Sequence, residues 1–488
     1  MDEAIKQGRL AGFRDSFVKF LNGNLYPLIV ALLVLIGHIT GLEVYLVVPI
    51  VLSATFGMIF SPTIKPFIVV LTTFIYQVNL KHTPGVFYED AEEGLFNPEY
   101  YAQPWVLAII ITLSVLLFSA VLYRFIRFSL LKIRRSTPLL IPISVLSLAF
   151  LLNGAFFQFY TVSNLFYGLA QVLVFFIIFY LFYFGLREIP LGELISYISY
   201  IALLNAVILI GEMAFMYLTY DNLISDTGSI VKEWINLGWG INNPIAFSIT
   251  TLIPMIAYGA MTKRTSPIYY LVMVAAFAAA ILTLSKNAFV FSTLTLLACL
   301  IFGCIKGKKR LLFRIMTLAL IVIGTVFTVI FFDRIYTLFE EYLNRGFADN
   351  GRFALWERAF ECFLESPLFG IGFFNFGAIG TPTYIDIFPT MAHNTLFIVL
   401  SSMGFFGIVS YLYYRAKTVI PLIKHPSGDK TAILITIASI LAMGLLDNYI
   451  FYIHTMFYYS IILAISAIIV EREGSEAQGI SAEEEASL

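Results

Sequence analysis

A chain of 488 residues with 59% hydrophobic residues, 12% charged residues and a formal net charge of −1 lies far from soluble globular proteins, which run at roughly 45–50% apolar and 25% charged. Its apolar residues come in uninterrupted stretches of about twenty, the length of helix that crosses a ~30 Å hydrocarbon core. A water-soluble fold is excluded, and the fold class is all-α: a polytopic integral membrane helical bundle, with no nucleic-acid partner expected.

Residues 1–24 are charged and amphipathic and lack the small-residue cleavage pattern of a removable signal peptide. They read as a cytoplasmic or interfacial segment. Residues 25–332 carry eleven apolar stretches, near 25–41, 42–60, 66–80, 104–123, 138–157, 164–185, 194–219, 244–261, 266–284, 287–305 and 311–332. A long polar segment, 333–393, follows, and three further spans fill 394–470, near 394–414, 431–449 and 451–470. The last segment, 471–488, is an acidic tail holding Glu471, Glu473, Glu476, Glu483, Glu484 and Glu485. Fourteen spans are thus expected, with no internal repeat. Cys299, Cys304 and Cys362 offer no disulfide framework.

Positively charged connections stay cytoplasmic. With the N-terminus inside, Arg124, Arg127, Lys132, Arg134, Arg135, Lys263, Arg264, Lys306, Lys308, Lys309, Arg310 and Arg314 all lie inside; the reverse orientation exports them. Both termini are therefore expected to be cytoplasmic and 333–393 to be a large periplasmic loop. A few cations escape the bias: Lys81, Lys232, Lys286, Arg334, Arg345, Arg352 and Arg358. A cation held on the translocated side suits an anionic ligand, although a solvated loop charge is the plainer alternative.

Arg352 stands out. Asp349 and Asn350 are helix-capping types, and Phe353, Trp356, Phe360, Phe363 and Leu364 then recur at helical spacing until Pro367. This predicts an amphipathic helix with Arg352 in its first turn, where free backbone N–H groups favour an anion and an Arg fork binds phosphate at two points. Lys286, in Ser285-Lys286-Asn287, sits at an outer turn and is either an anion contact or a snorkelling anchor. Glu212 lies inside a span, a functional candidate by default or a neutral tie to a neighbouring helix; Asp447 is a shallower one. His393-Asn394 opens a span, with Gly404 and Gly407 beyond, a small-residue spacing that lets another helix approach. An imidazole there can take a proton from a sugar hydroxyl near neutral pH, or can serve as a helix cap. Arg345 and Arg358 are secondary candidates.

Three of these pieces, between about Leu282 and Gly407, together resemble the bacterial O-antigen polymerase and O-antigen ligase superfamily. Ser285-Lys286-Asn287 resembles its Ser-Arg turn, with Lys in place of the usual Arg. Gly351-Arg352, Trp356 and Pro367-Leu368-Phe369-Gly370-Ile371-Gly372 resemble its loop motif, and His393-Asn394 with Gly404 and Gly407 its final motif. The resemblance implies a GT-C-type membrane glycosyltransferase in the bacterial inner membrane, acting in lipopolysaccharide or surface-polysaccharide biosynthesis on undecaprenyl-pyrophosphate-linked glycans as donor and acceptor. It implies neither metal nor cofactor, His393 as catalytic base, and Arg352 and Lys286 on the pyrophosphate. Fourteen spans favour a polymerase, for which a chain-length regulator is a candidate partner. A ligase acting on lipid A core and a protein O-oligosaccharyltransferase share the motifs. A polysaccharide flippase or transporter, from another class, would place ionisable groups near the midplane, whereas these cluster at one face.

The orientation has a direct check. A cysteine at Thr381 should react with an impermeant thiol reagent in intact spheroplasts; labelling that begins only after lysis overturns it.

Overall fold

The computed structural model describes residues 2–77, 103–156, 160–219, 235–263, 265–330, 332–333, 336, 352–376, 392–424, 428–451 and 453–477. Among these residues the structure is helical apart from one isolated bridge, Asn236 to Ile241. Helices follow from the composition, because apolar surroundings leave backbone N–H and C=O groups no partner outside their own segment. In chain order they are α1 Asp2–Leu21, α2 Leu25–Thr40, α3 Glu43–Phe60, α4 Lys65–Thr73, α5 Pro104–Phe128, α6 Leu140–Leu151, α7 Val162–Leu186, α8 Leu191–Thr219, α9 Asn242–Thr262, α10 Ser266–Leu282, α11 Lys286–Lys306, α12 Arg310–Ile330, α13 Arg352–Glu365, α14 Thr395–Lys424, α15 Gly428–Met443 and α16 Ile453–Ala477.

Each expected apolar stretch coincides with a helix, but not every one is long enough to span. Among the described residues nine helices are long and apolar enough to cross a membrane, or ten if the pair Gly12–Leu21 and Leu25–Thr40, bent by 71°, forms one span. Helices α4, α6, α10 and α15 have 9, 12, 17 and 16 residues; at 1.5 Å per residue, twelve residues rise only ~18 Å. Hydropathy alone runs through turns that the backbone makes. The stretch near 138–157 ends its helix before Asn153-Gly154, where Gly154 takes φ +70°, and the stretch near 431–449 leaves its helix in turns from Gly444 to Asp447.

The chain divides into two compact units. One holds the residues up to Ile133, Tyr180–Leu252 and Val272–Ala288. Within it, Arg124 near the end of α5 donates to the carbonyls of Met58 at 3.0 Å, Ser61 at 2.8 Å and Pro62 at 3.2 Å. These are the groups at the C-terminal end of α3 that no intrahelical amide reaches.

The other unit holds Arg134–Phe179, Ile253–Leu271 and the chain from Phe289 onward. Its organising feature is a break in α14 at Gly404, with φ 64° and ψ −157°, a conformation that glycine adopts at little cost. The break removes the helical partners of Ser401, Ser402, Phe405 and Phe406. Residues 367–372 replace them: Phe405 N donates to Pro367 O at 2.7 Å, Phe406 N to Leu368 O at 3.1 Å, Ile371 N to Ser401 O at 2.8 Å and Gly372 N to Ser402 O at 3.0 Å. Small residues at this spacing were expected to admit a second helix; what approaches Gly404 is instead the backbone of Leu368 and Gly370, 2.6 Å from where its Cβ would stand. Further along, Gly154 N donates to Phe369 O at 2.9 Å, and Phe373 N and Phe374 N donate to the side-chain oxygens of Asn153 and Asn164 at 3.3 and 2.9 Å. Asn153 also donates to Asn164 O at 2.9 Å, so α6 and α7 carry this segment.

Gly370 tests the arrangement. It has φ +67°, and a Cβ there would fall 2.3 Å from Ser402 C. The left-handed backbone alone costs a non-glycine residue about 1–2 kcal/mol, and the overlap adds to it. Gly370→Ala should lower the thermal midpoint and membrane abundance, whereas Gly428→Ala, with nothing within 4 Å of its Cβ, should match the wild type. Equal midpoints for the two variants would contradict the packing described.

Candidate functional site

His393 lies two residues before α14. Asn394 caps that helix, its Oδ1 accepting from Leu396 N at 2.8 Å and Phe397 N at 3.3 Å, and its Nδ2 donates to Leu445 O at 2.7 Å. The capping role open to His393 on sequence grounds thus belongs to its neighbour. His393 itself has φ +44°, a left-handed conformation rare outside glycine and costing about 1–3 kcal/mol. It is held from both sides: Trp356 Nε1 donates to Ala392 O at 3.0 Å, and Thr395 N donates to Gly444 O at 2.7 Å.

The imidazole Nδ1 lies 3.2 Å from Asp447 Oδ1, with the His393 side chain 40% exposed and that of Asp447 3% exposed. Asp447 Oδ1 also accepts from Asn448 N at 2.8 Å, and the Asp447 carbonyl accepts from Thr395 Oγ1 at 3.3 Å. A buried, positioned carboxylate on Nδ1 fixes the ring and directs Nε2 outward, the arrangement of an oriented general base. Asp447 entered the sequence reading only as a minor candidate. Its pairing depends on α15 ending at Met443, which places Asp447 in a turn rather than inside a span.

Helix α13 forms where the periodicity places it and ends before Pro367. Its inward face is made largely by other residues, joined by Trp356. Leu355, Ala359 and Cys362 are buried, while Phe353, Phe360 and Leu364 are 66%, 49% and 59% exposed. Small inward residues let α13 lie close to α14, and Trp356 stacks on Phe397 with ring centroids 5.4 Å apart and planes at 11°. The outward aromatics suit an interfacial helix. Burial pushes the Cys362 thiol up to about 11, so it has little thiolate character.

Arg352 is the first residue of α13, half-buried, and makes no hydrogen bond or ion pair with another described residue. Arg358 Nη1 pairs with Glu361 Oε2 at 2.8 Å, while its Nε and Nη2 are buried without partners. Lys286 opens α11 in the other unit, after Ser285, whose Oγ accepts from Ala288 N at 3.3 Å and donates to Asn243 Oδ1 at 2.5 Å. Glu212, in the same unit as Lys286, is fully buried in α8; it accepts from Trp239 Nε1 at 2.9 Å, and His38 Nδ1 lies 3.7 Å away. That is the tie to neighbouring segments which the sequence left open. Arg345, with Lys81, Lys232 and Arg334, lies outside the described residues. Among the described residues no group of three or more His, Cys, Asp or Glu is placed to hold a metal ion.

Sequence reasoning missed Asn153 and Asn164. Both are wholly buried, and the available signal was an amide inside an apolar stretch, where a polar group must find a partner. No curated protein matches the chain. Residues 271–412 match the family model described as O-antigen ligase, a span that contains Lys286, Arg352, residues 367–372 and His393. Over this region the chain is similar to the O-antigen ligase family, a likeness that supports the O-antigen ligase and polymerase superfamily and implies a glycosyltransferase-like membrane enzyme.

Proposed function

We propose that the chain is a polyprenyl-pyrophosphate-dependent glycosyltransferase of the GT-C type, a surface-polysaccharide polymerase working at the periplasmic face of the bacterial inner membrane. The observation that carries the reading is His393, held in a left-handed backbone with Nδ1 against buried Asp447 and its ring open to the outside. Asp447 keeps the Nδ1 proton in place, so Nε2 accepts the proton of an acceptor hydroxyl. The acceptor oxygen attacks the anomeric carbon of the lipid-linked glycan, and the carbon–oxygen bond to pyrophosphate breaks. Polyprenyl pyrophosphate leaves with its electron pair, and one in-line step inverts the anomeric configuration. Arg352, at a helix start and unpaired among the described residues, receives the growing negative charge; Lys286 is assigned to the same task. The extracytoplasmic placement of 333–393 and cytoplasmic termini complete the proposal.

The polymerase reading rests on the fourteen spans expected from the sequence, of which nine or ten among the described residues are long and apolar enough to cross a membrane. A second reading, transfer to lipid A core, is favoured by the family description as O-antigen ligase. Purified protein reconstituted with a lipid-linked oligosaccharide distinguishes them. Longer lipid-linked products without another acceptor are expected; product only on adding lipid A core would make it a ligase, and no product with either would refute the transferase reading. In the productive assay His393→Asn, which suits a left-handed backbone, should lose roughly 10²–10⁴-fold in kcat while retaining donor binding. Wild-type turnover would reduce His393 to a structural residue.

Arg352→Lys keeps the charge and loses the fork. A charge-assisted hydrogen bond is worth roughly 1.5–3 kcal/mol, which corresponds to a rate loss of about ten- to a hundredfold. Lys286→Arg should be tolerated. An Arg352→Lys enzyme as fast as wild type would leave that arginine a solvated helix residue.

A further inference from the structure

Arg415 lies in α14 beyond the break, inside a membrane-spanning helix, and is 8% exposed. Rings surround its guanidinium: those of Tyr411, Tyr414 and Tyr459 have centroids 4.6, 5.1 and 5.0 Å from Cζ. Aromatic faces attract a cation, but they accept few hydrogen bonds, and beyond its contact with the Tyr411 hydroxyl the guanidinium finds no close acceptor for Nε, Nη1 or Nη2. Among the described residues no carboxylate pairs with this arginine. The hydroxyls of Tyr414 and Tyr459 are likewise buried without a partner. Helices α14 and α16 thus bring together one permanent cation, met only by the Tyr411 hydroxyl, and two hydroxyls able to donate and answered by no acceptor.

An uncompensated buried charge is strongly unfavourable, and ionisable residues inside a membrane normally pair or mark a ligand path. One anion would satisfy the whole set. The planar fork matches two oxygens of a tetrahedral oxyanion, and the hydroxyls can donate to others. We propose that Arg415, with Tyr414 and Tyr459, forms a second anion site that takes a phosphate group, carried either by an anionic membrane lipid or by a free phosphate ion. The assignment uses none of the residues placed in the transfer reaction, so either reading can fail without the other.

The test uses full-length protein in a neutral maltoside detergent. Its thermal midpoint is followed while phosphatidylglycerol, or inorganic phosphate at constant ionic strength, is added, and native mass spectrometry reports any phospholipid retained through purification. Phosphatidylglycerol retained or stabilising, with phosphate inert, identifies a lipid headgroup; stabilisation by phosphate identifies the free ion. In Arg415→Met, whose apolar side chain fits the aromatic cage and should preserve the fold, retention and stabilisation should disappear. Arg415→Lys keeps the charge without the fork and should weaken binding about tenfold or more; it carries the test if the Met variant does not fold. The proposal is overturned if neither phosphatidylglycerol nor phosphate is retained by or stabilises the wild type, or if the folded variants respond as the wild type does.

Discussion

Backbone polar groups in apolar surroundings must be answered by other backbone or side-chain groups, and the unit containing α14 is arranged around one place where a helix fails to do this for itself. At Gly404 two amides and two carbonyls leave the helical pattern, and residues 367–372 take all four. An unanswered buried group costs about 1–3 kcal/mol, so the break exists only together with its filler. Gly370, Gly372 and Gly404 all take positive φ; a Cβ at Gly370 or Gly404 would meet main chain, and one at Gly372 the Asn164 amide.

The same principle explains the setting of His393. Its unfavourable φ persists because the residues on both sides are tied down: Ala392 by the Trp356 indole, and Asn394 and Thr395 by the turn that follows α15. Strain held by surrounding hydrogen bonds is characteristic of functional positions, and here it fixes an exposed imidazole against a carboxylate that is almost wholly buried. The stacked Trp356 and Phe397 rings add a rigid apolar contact between α13 and α14.

Much of this was legible in the sequence, for reasons that also mark where legibility stopped. Apolar runs locate helices because their length is set by the hydrocarbon core, but runs do not reveal turns inside them, as at Gly154 and Gly444. The periodicity of α13 gave its extent and placed Arg352 at its start. It does not set the buried face: Leu355, Ala359 and Cys362 pack inward beside Trp356, while Phe353, Phe360 and Leu364 are exposed, as large apolar residues at a membrane can be. The motif residues His393, Gly370 and Gly404 could be named, yet Asp447, Asn153 and Asn164 acquire their roles only through contacts distant in sequence. His393 and Asp447 are 54 residues apart, and Phe373 and Asn153 are 220 apart.

Chain order gives these contacts a sequence in time. Asn153, Gly154, Asn164 and residues 367–372 all leave the ribosome before Gly404, so the discontinuity in α14 meets partners already synthesised when it is made. Those of His393 come later: Gly444, Leu445 and Asp447 emerge only after α15. During biosynthesis the imidazole therefore stays unaligned until the penultimate described helix is complete, and a nascent chain stalled before that point carries the residues of the motif without the pair that orients them.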